Sequence, residues 1–207
     1  MSPLNLINSS RLSDVLQGSG NNWRPPVMAS KFLYFAYGSN LLAQRIHINN
    51  PSAVRRTIGK LEGYRLDFNH WSHRWKGCAA TIVPEEGKHT WGAIWEIDDS
   101  NLEDLDRQEG VHEEVYFPLE VVVQTPDGES LKCRSYQLHK TPPALKDNEV
   151  LPDERRPSQI YLEVILRGAQ ESGLPTSYIK YLEQIPHNGF KGDIEINSQI
   201  NIPLSLK

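Results

Sequence analysis

Cysteine is nearly missing from this chain. Cys78 and Cys133 stand far apart and form no C-x-x-C pair. That excludes a disulfide-stapled scaffold and a thiolate zinc site, and two reduced, partly buried thiols are expected. Long apolar runs are missing too. No stretch approaches the ~18 residues of a membrane-spanning helix. There is no excess of basic charge: the net charge is −4, and Arg55-Arg56 and Arg155-Arg156 are isolated pairs. Neither nucleic acid nor an anionic membrane is therefore an expected partner. The phosphate-binding patterns G-x-x-x-x-G-K-[ST] and G-x-G-x-x-G are absent, and Gly18-Ser19-Gly20 has no strand before it. His70, His73 and His89 lack the carboxylate or cysteine that would complete a metal set. Neither metal nor cofactor is expected. Ser39 lacks the G-x-S-x-G elbow of a hydrolase nucleophile, which leaves it as a ligand donor.

What remains is an ordinary globular composition, 38% hydrophobic and 23% charged over 207 residues. That suits one compact domain with tails. Residues 1–30 read as a disordered extension, Ser- and Asn-rich with Arg11 and Arg24 against Asp14. They lack the apolar core of a secretory signal and only weakly resemble a mitochondrial transit peptide. A cytoplasmic location is the first expectation and a mitochondrial one the alternative. Residues 31–192 form the expected domain, and 193–207 a tail.

Within the domain, Phe32–Tyr37 reads as a buried strand and Leu41–Ile48 as a short helix closed by Pro51. Strand patterns follow at Thr57–Phe68, Gly77–Val83 and Thr90–Ile97. Asp98 to Asn101 supply N-cap candidates for a helix over Leu102–Glu109, which Gly110 ends. Val115–Gln124 and Leu131–Leu138 flank the hairpin signal Pro126-Asp127-Gly128-Glu129. His139 to Pro157 is broken by four prolines and long for a connection, which marks it as a candidate lid. Ser158 caps a helix over Gln159–Ser172, which Gly173 and Pro175 end. Thr176 caps another over Ser177–Ile185. Five or six strands with few helices predict an α+β domain on a mostly antiparallel sheet, either open or closed as a barrel.

Two segments carry chemistry. The run from Phe32 to Tyr37 ends abruptly in Gly38-Ser39-Asn40 before a helical pattern, a device that offers backbone N–H groups to a carboxylate or oxyanion. The second segment holds Glu109. Leu102, Leu105 and Glu109 follow i, i+3, i+7 and share one helix face, so the carboxylate points where the leucines are buried. It also occupies the last turn, where the macrodipole disfavours an anion. Burial adds to this, and both effects raise its pKa toward the range of a proton carrier. The plain alternative is a helix end fraying into solvent.

The segments Tyr34-Phe35-Ala36-Tyr37-Gly38-Ser39-Asn40-Leu41 and Leu105-Asp106-Arg107-Gln108-Glu109-Gly110-Val111 resemble γ-glutamylcyclotransferases. So do Asn50-Pro51-Ser52-Ala53, Leu66-Asp67-Phe68, Cys133-Arg134-Ser135-Tyr136 and Gly168-Ala169-x-x-x-Gly173-Leu174-Pro175. The likeness runs in order from about Phe32 to Gly192. It implies a small β-barrel flanked by helices, and an enzyme that turns γ-glutamyl amino acids into 5-oxoproline and a free amino acid. By the same resemblance Glu109 is the acid/base. Tyr34, Phe35, Ala36, Tyr37, Gly38, Ser39 and Asn40 form the substrate loop, and Tyr136 and Tyr161 approach the substrate. A homodimer is implied as well. The alternatives are a cyclotransferase for γ-glutamylamines or glutathione, and a catalytically silent ligand-binding protein on the same fold.

Overall fold

The structure is a computed structural model that describes residues 30–146 and 149–193. The expected N-terminal extension, apart from Ser30, and the C-terminal tail, apart from Asp193, lie outside the described residues. The chain forms strands β1 (Lys31–Ala36), β2 (Val54–Ser72), β3 (Gly77–Asp98), β4 (Tyr116–Gln124) and β5 (Ser130–Leu138). Its helices are α1 (Ala43–Ile46), α2 (Leu102–Gln108), α3 (Gln159–Ser172) and α4 (Thr176–Glu183). The strands close a barrel in the order β1-β3-β2-β4-β5. The closing contact is parallel, Tyr34 opposite Arg134, and every other pairing is antiparallel. The expected α+β barrel is what forms.

The two strand patterns at Gly77–Val83 and Thr90–Ile97 belong to one strand. Pro84 and Gly87 do not end it, because the ladder with β2 resumes beyond them. Glu62 pairs with His89 and Tyr64 with Pro84, so Gly63 alone faces residues 85–88. Gly63 and Gly87 absorb the irregularity at φ 76° and 77°, backbone that glycine adopts without steric cost.

The helix following Gly38 is shorter and tighter than its pattern suggests. Ser39–Leu41 is a single 3₁₀ turn, and α1 follows after Leu42. At α2 a 3₁₀ turn, Asp99–Asn101, leads in, and no side chain caps the helix. Likewise α4 starts at Thr176 itself, with Pro175 in the cap position. The caps of α3 form as expected: Ser158 Oγ accepts from Tyr161 N, and Gly173 ends the helix in the left-handed region.

The Pro-rich stretch is pinned to the barrel. Arg155, almost fully buried, donates to Phe68 O at 3.2 Å and Pro143 O at 3.1 Å and pairs with Asp67. Arg65 reaches Pro142 O at 3.0 Å. Cys78 and Cys133 are buried free thiols, and burial pushes Cys133 up to about 12, far from a reactive thiolate.

Candidate active site

A cavity of about 30 Å³ opens between the end of β1, the C-terminus of α2 and the start of α3. It is lined by Tyr34, Tyr37, Gly38, Ser39, Asn40, Ala80, Glu109, Tyr116, Tyr136 and Tyr161. Each wall has a local cause. β1 stops at Ala36, and the Gly38 turn swings Tyr37, Ser39 and Asn40 onto the wall. Glu109 arrives because α2 ends there and Gly110 takes φ 66°. Tyr161 lies one turn into α3, directly after its Ser158 cap.

Glu109 Oε1 accepts from Asn40 Nδ2 at 3.0 Å, and the same amide nitrogen donates to Tyr34 Oη at 3.1 Å. Asn40 Oδ1 accepts from Gln108 Nε2 at 3.0 Å, which fixes which way the Asn40 amide faces. Asn49 Nδ2 in turn donates to Gln108 Oε1 at 3.0 Å. The Glu109 carboxyl is thus oriented by a chain of amides. Burial is the largest influence on it and raises its pKa to about 7. Arg45, Gln108 and Asn40 pull the other way, and Asp106 adds to the rise. The sequence argument anticipated the burial and missed the amides and the arginine.

The Asp106 charge is held off by Arg134, which grips both carboxylate oxygens at 2.6 and 2.8 Å. Arg134 Nε also donates to Tyr136 Oη at 2.8 Å, and that hydroxyl donates onward to Asp106. Tyr136 therefore presents its ring to the cavity while its hydroxyl is already committed. Tyr37 Oη donates to the Tyr136 carbonyl at 2.5 Å, and Tyr116 Oη to Ala80 O at 2.6 Å. Tyr161 Oη accepts from Ala80 N at 3.2 Å, and burial pushes its pKa up to about 12. These phenols stay protonated across the range in which Glu109 titrates, so Glu109 is the group of the cavity lining whose charge changes near neutrality.

Of the sequence-predicted residues, Tyr34, Tyr37, Gly38, Ser39, Asn40, Glu109, Tyr136 and Tyr161 meet at the cavity. Phe35 and Ala36 do not. Both are fully buried in the core, where Phe35 packs against Gly92 and Ala36 O lies close to it. Neither lines the cavity. Ala80 and Tyr116 were missed, since only barrel closure brings β3 and β4 beside the Gly38 turn. No described residue of the Pro-rich stretch lines the cavity. A larger groove of about 510 Å³ runs beside Phe32, Leu119 and Cys133. Its ionisable groups are spent on partners: Lys31 on Glu96, Lys132 on Glu120 and Arg134 on Asp106. The smaller space alone holds the carboxyl raised to about 7.

A Cβ added at Gly38 would lie 3.3 Å from Tyr161 Oη and 3.6 Å from Ala80 Cβ. Gly38→Ala is expected to lower kcat/KM severalfold with little change in thermal stability. Steady-state kinetics check this, and an unchanged kcat/KM would place the substrate away from this wall.

A sequence model of the AIG2-like family matches residues 89–182, which contain Glu109, Tyr116, Tyr136 and Tyr161. A γ-glutamylcyclotransferase of Bos taurus is 44% identical over 167 residues, 79% of this chain and 83% of the relative. The one from Homo sapiens is 41% identical over the same share of both chains. A solved structure of a γ-glutamyl cyclotransferase superposes with a TM-score of 0.75 at 38% identity, covering 84% of this chain and all of that one. Identity at this level over most of both chains, on the same barrel, establishes that the chain belongs to the γ-glutamylcyclotransferase family.

Proposed function

We propose that the protein converts γ-glutamyl amino acids into 5-oxoproline and the free amino acid, with Glu109 as the acid/base. The observation that carries this reading is a single partly buried carboxyl, raised to about 7, on the wall of a tyrosine-lined cavity. The substrate's own α-amine attacks its γ-carbonyl and closes a five-membered lactam. Nucleophile and electrophile share one molecule, so no enzymatic nucleophile is needed. Holding the chain folded supplies part of the ~7–11 kcal/mol that well-oriented intramolecular reactions gain.

Proton accounting explains the choice of residue. The α-ammonium carries three protons and the lactam nitrogen keeps one. The departing nitrogen begins with one and leaves as an ammonium with three. Two protons must therefore cross from one nitrogen to the other. Glu109 as carboxylate takes a proton from the α-ammonium, and as acid it delivers one to the departing amine. A carboxyl near neutrality serves both directions, which one at 4.5 would not. The N–H groups of Ser39 and Asn40 lie in the first turn of a 3₁₀ helix and have no intrahelical acceptor. They are suited to an oxyanion or a carboxylate. The cavity holds about two waters.

The base must be ionised in the free enzyme, so kcat/KM is expected to fall as pH drops through about 7. A pH–rate profile with its acid limb near 4.5 instead would contradict the assignment of Glu109. A turnover screen over γ-glutamyl dipeptides, γ-glutamylamines and glutathione tests the substrate class, with γ-glutamyl dipeptides expected to lead. A homodimer in the cytoplasm completes the proposal, and light scattering and cell fractionation test it.

A further inference from the structure

Arg45, on α1, is 5% exposed and makes no ion-pair contact with a carboxylate among the described residues. Nη1 makes one long contact, 3.4 Å to Gln108 Oε1. Nε is enclosed without an acceptor. The nearest carboxylates bond to other groups. Asp106 holds Arg134 and Tyr136, Glu171 holds Arg55, and Glu109 Oε1 holds Asn40. A buried, unpaired guanidinium is costly to fold around. Arg74, in the turn between β2 and β3, adds to that cost: after burial, its positive charge is the strongest influence holding Arg45 below its usual range. Glu109, Tyr161 and Tyr34 act on Arg45 in the opposite sense, and all three line the cavity. The unpaired cation is therefore electrostatically coupled to the cavity wall.

We propose that Arg45 is a substrate-binding residue whose counter-ion is a carboxylate of the γ-glutamyl amino acid. The assignment rests on the substrate class proposed above. Such a substrate carries two carboxylates, one on the glutamyl α-carbon and one on the leaving amino acid. A guanidinium fork suits either, and Nε with one Nη offers the two parallel donors that a carboxylate accepts. The bound substrate thus supplies the ion-pair contact that Arg45 lacks in the free protein.

Calorimetry with the full chain carrying Glu109→Gln reads binding without turnover. Arg45→Met in that background is expected to lower the affinity for γ-glutamyl-alanine at least about tenfold, with Arg45→Lys falling between. An equal loss for γ-glutamyl-alanine and γ-glutamyl-alaninamide assigns the α-carboxylate. A loss confined to γ-glutamyl-alanine assigns the leaving amino acid's carboxylate. Unchanged affinities in folded Arg45→Met overturn the proposal. Should that variant fail to fold, Arg45→Lys carries the test, and wild-type affinity in it overturns the proposal too. In the protein that retains Glu109, a displaced acid limb of kcat/KM with an unchanged KM upon Arg45→Lys also overturns it, since Arg45 would then act only on Glu109. Binding of γ-glutamyl-alanine without any release of 5-oxoproline by the wild type would count against the proposed reaction and leave the role of Arg45 standing.

Discussion

Glu109→Gln is expected to fold, to bind a γ-glutamyl amino acid, and to lose at least about a hundredfold in kcat/KM. Glutamine has nearly the shape of glutamic acid, and its amide oxygen can still accept from Asn40 Nδ2. The cavity is preserved while the proton carrier is removed. Stability should move the other way. The folded protein holds the Glu109 proton more tightly than the unfolded chain does, since the pKa rises from 4.5 to about 7. Glu109 is therefore harmless to stability below about pH 4.5, and its burial as an anion becomes a growing cost as pH rises toward and through 7. The full cost is about 3 kcal/mol, and the glutamine variant is free of it. Urea titrations at pH 5 and pH 8 check this: the variant should gain on the wild type only at the higher pH. Loss of activity together with gain of stability is the signature of a carboxyl kept for chemistry.

Gly168 carries the second large effect, at a distance from the chemistry. It lies within α3 where the helix presses on the turn after Gly38. A Cβ there would sit 2.4 Å from Leu42 N and 2.6 Å from Leu41 C. Two opposing effects decide the result. Alanine in place of glycine favours an α-helix by about 1 kcal/mol. Against that, the clash is with backbone, and the turn is held in place. Ser172 Oγ and Arg55 Nη2 both donate to Leu41 O, at 3.3 and 3.1 Å. Forced overpacking typically costs about 1–3 kcal/mol, so the clash wins. Gly168→Ala is expected to lose about 1–2 kcal/mol and Gly168→Val more, read as a lower urea midpoint at unchanged m. Activity should fall as well, because α3 can retreat only by releasing the turn that carries Ser39 and Asn40. A variant with wild-type stability and kcat/KM would show that α3 does not hold the turn.

Some of this site could be read along the chain. Glu109 shares its helix face with Leu105, and helix periodicity makes such a face visible in any sequence. The caps of α3, Ser158 and Gly173, were visible for the same reason: capping is local chemistry. Tyr116 and Ala80 were not, because their place depends on which strands meet when the barrel closes. Arg45 was invisible for a different reason. Its burial comes from packing against elements more than fifty residues away, and a basic residue in a short polar helix looks like surface. Phe35 and Ala36 show the converse limit. The motif that carries the resemblance includes them, yet both are fully buried in the core and line no part of the cavity. The break read at Pro84 to Gly87 failed because local turn signals cannot register a ladder that resumes on the far side.

The most direct measurement is proton NMR of the purified protein mixed with γ-glutamyl-alanine at pH 8. The account predicts 5-oxoproline and alanine appearing in equal amounts, with neither formed at a comparable rate by folded Glu109→Gln. A wild-type protein that binds γ-glutamyl-alanine and leaves it intact, or a Glu109→Gln variant that turns it over normally, would contradict it.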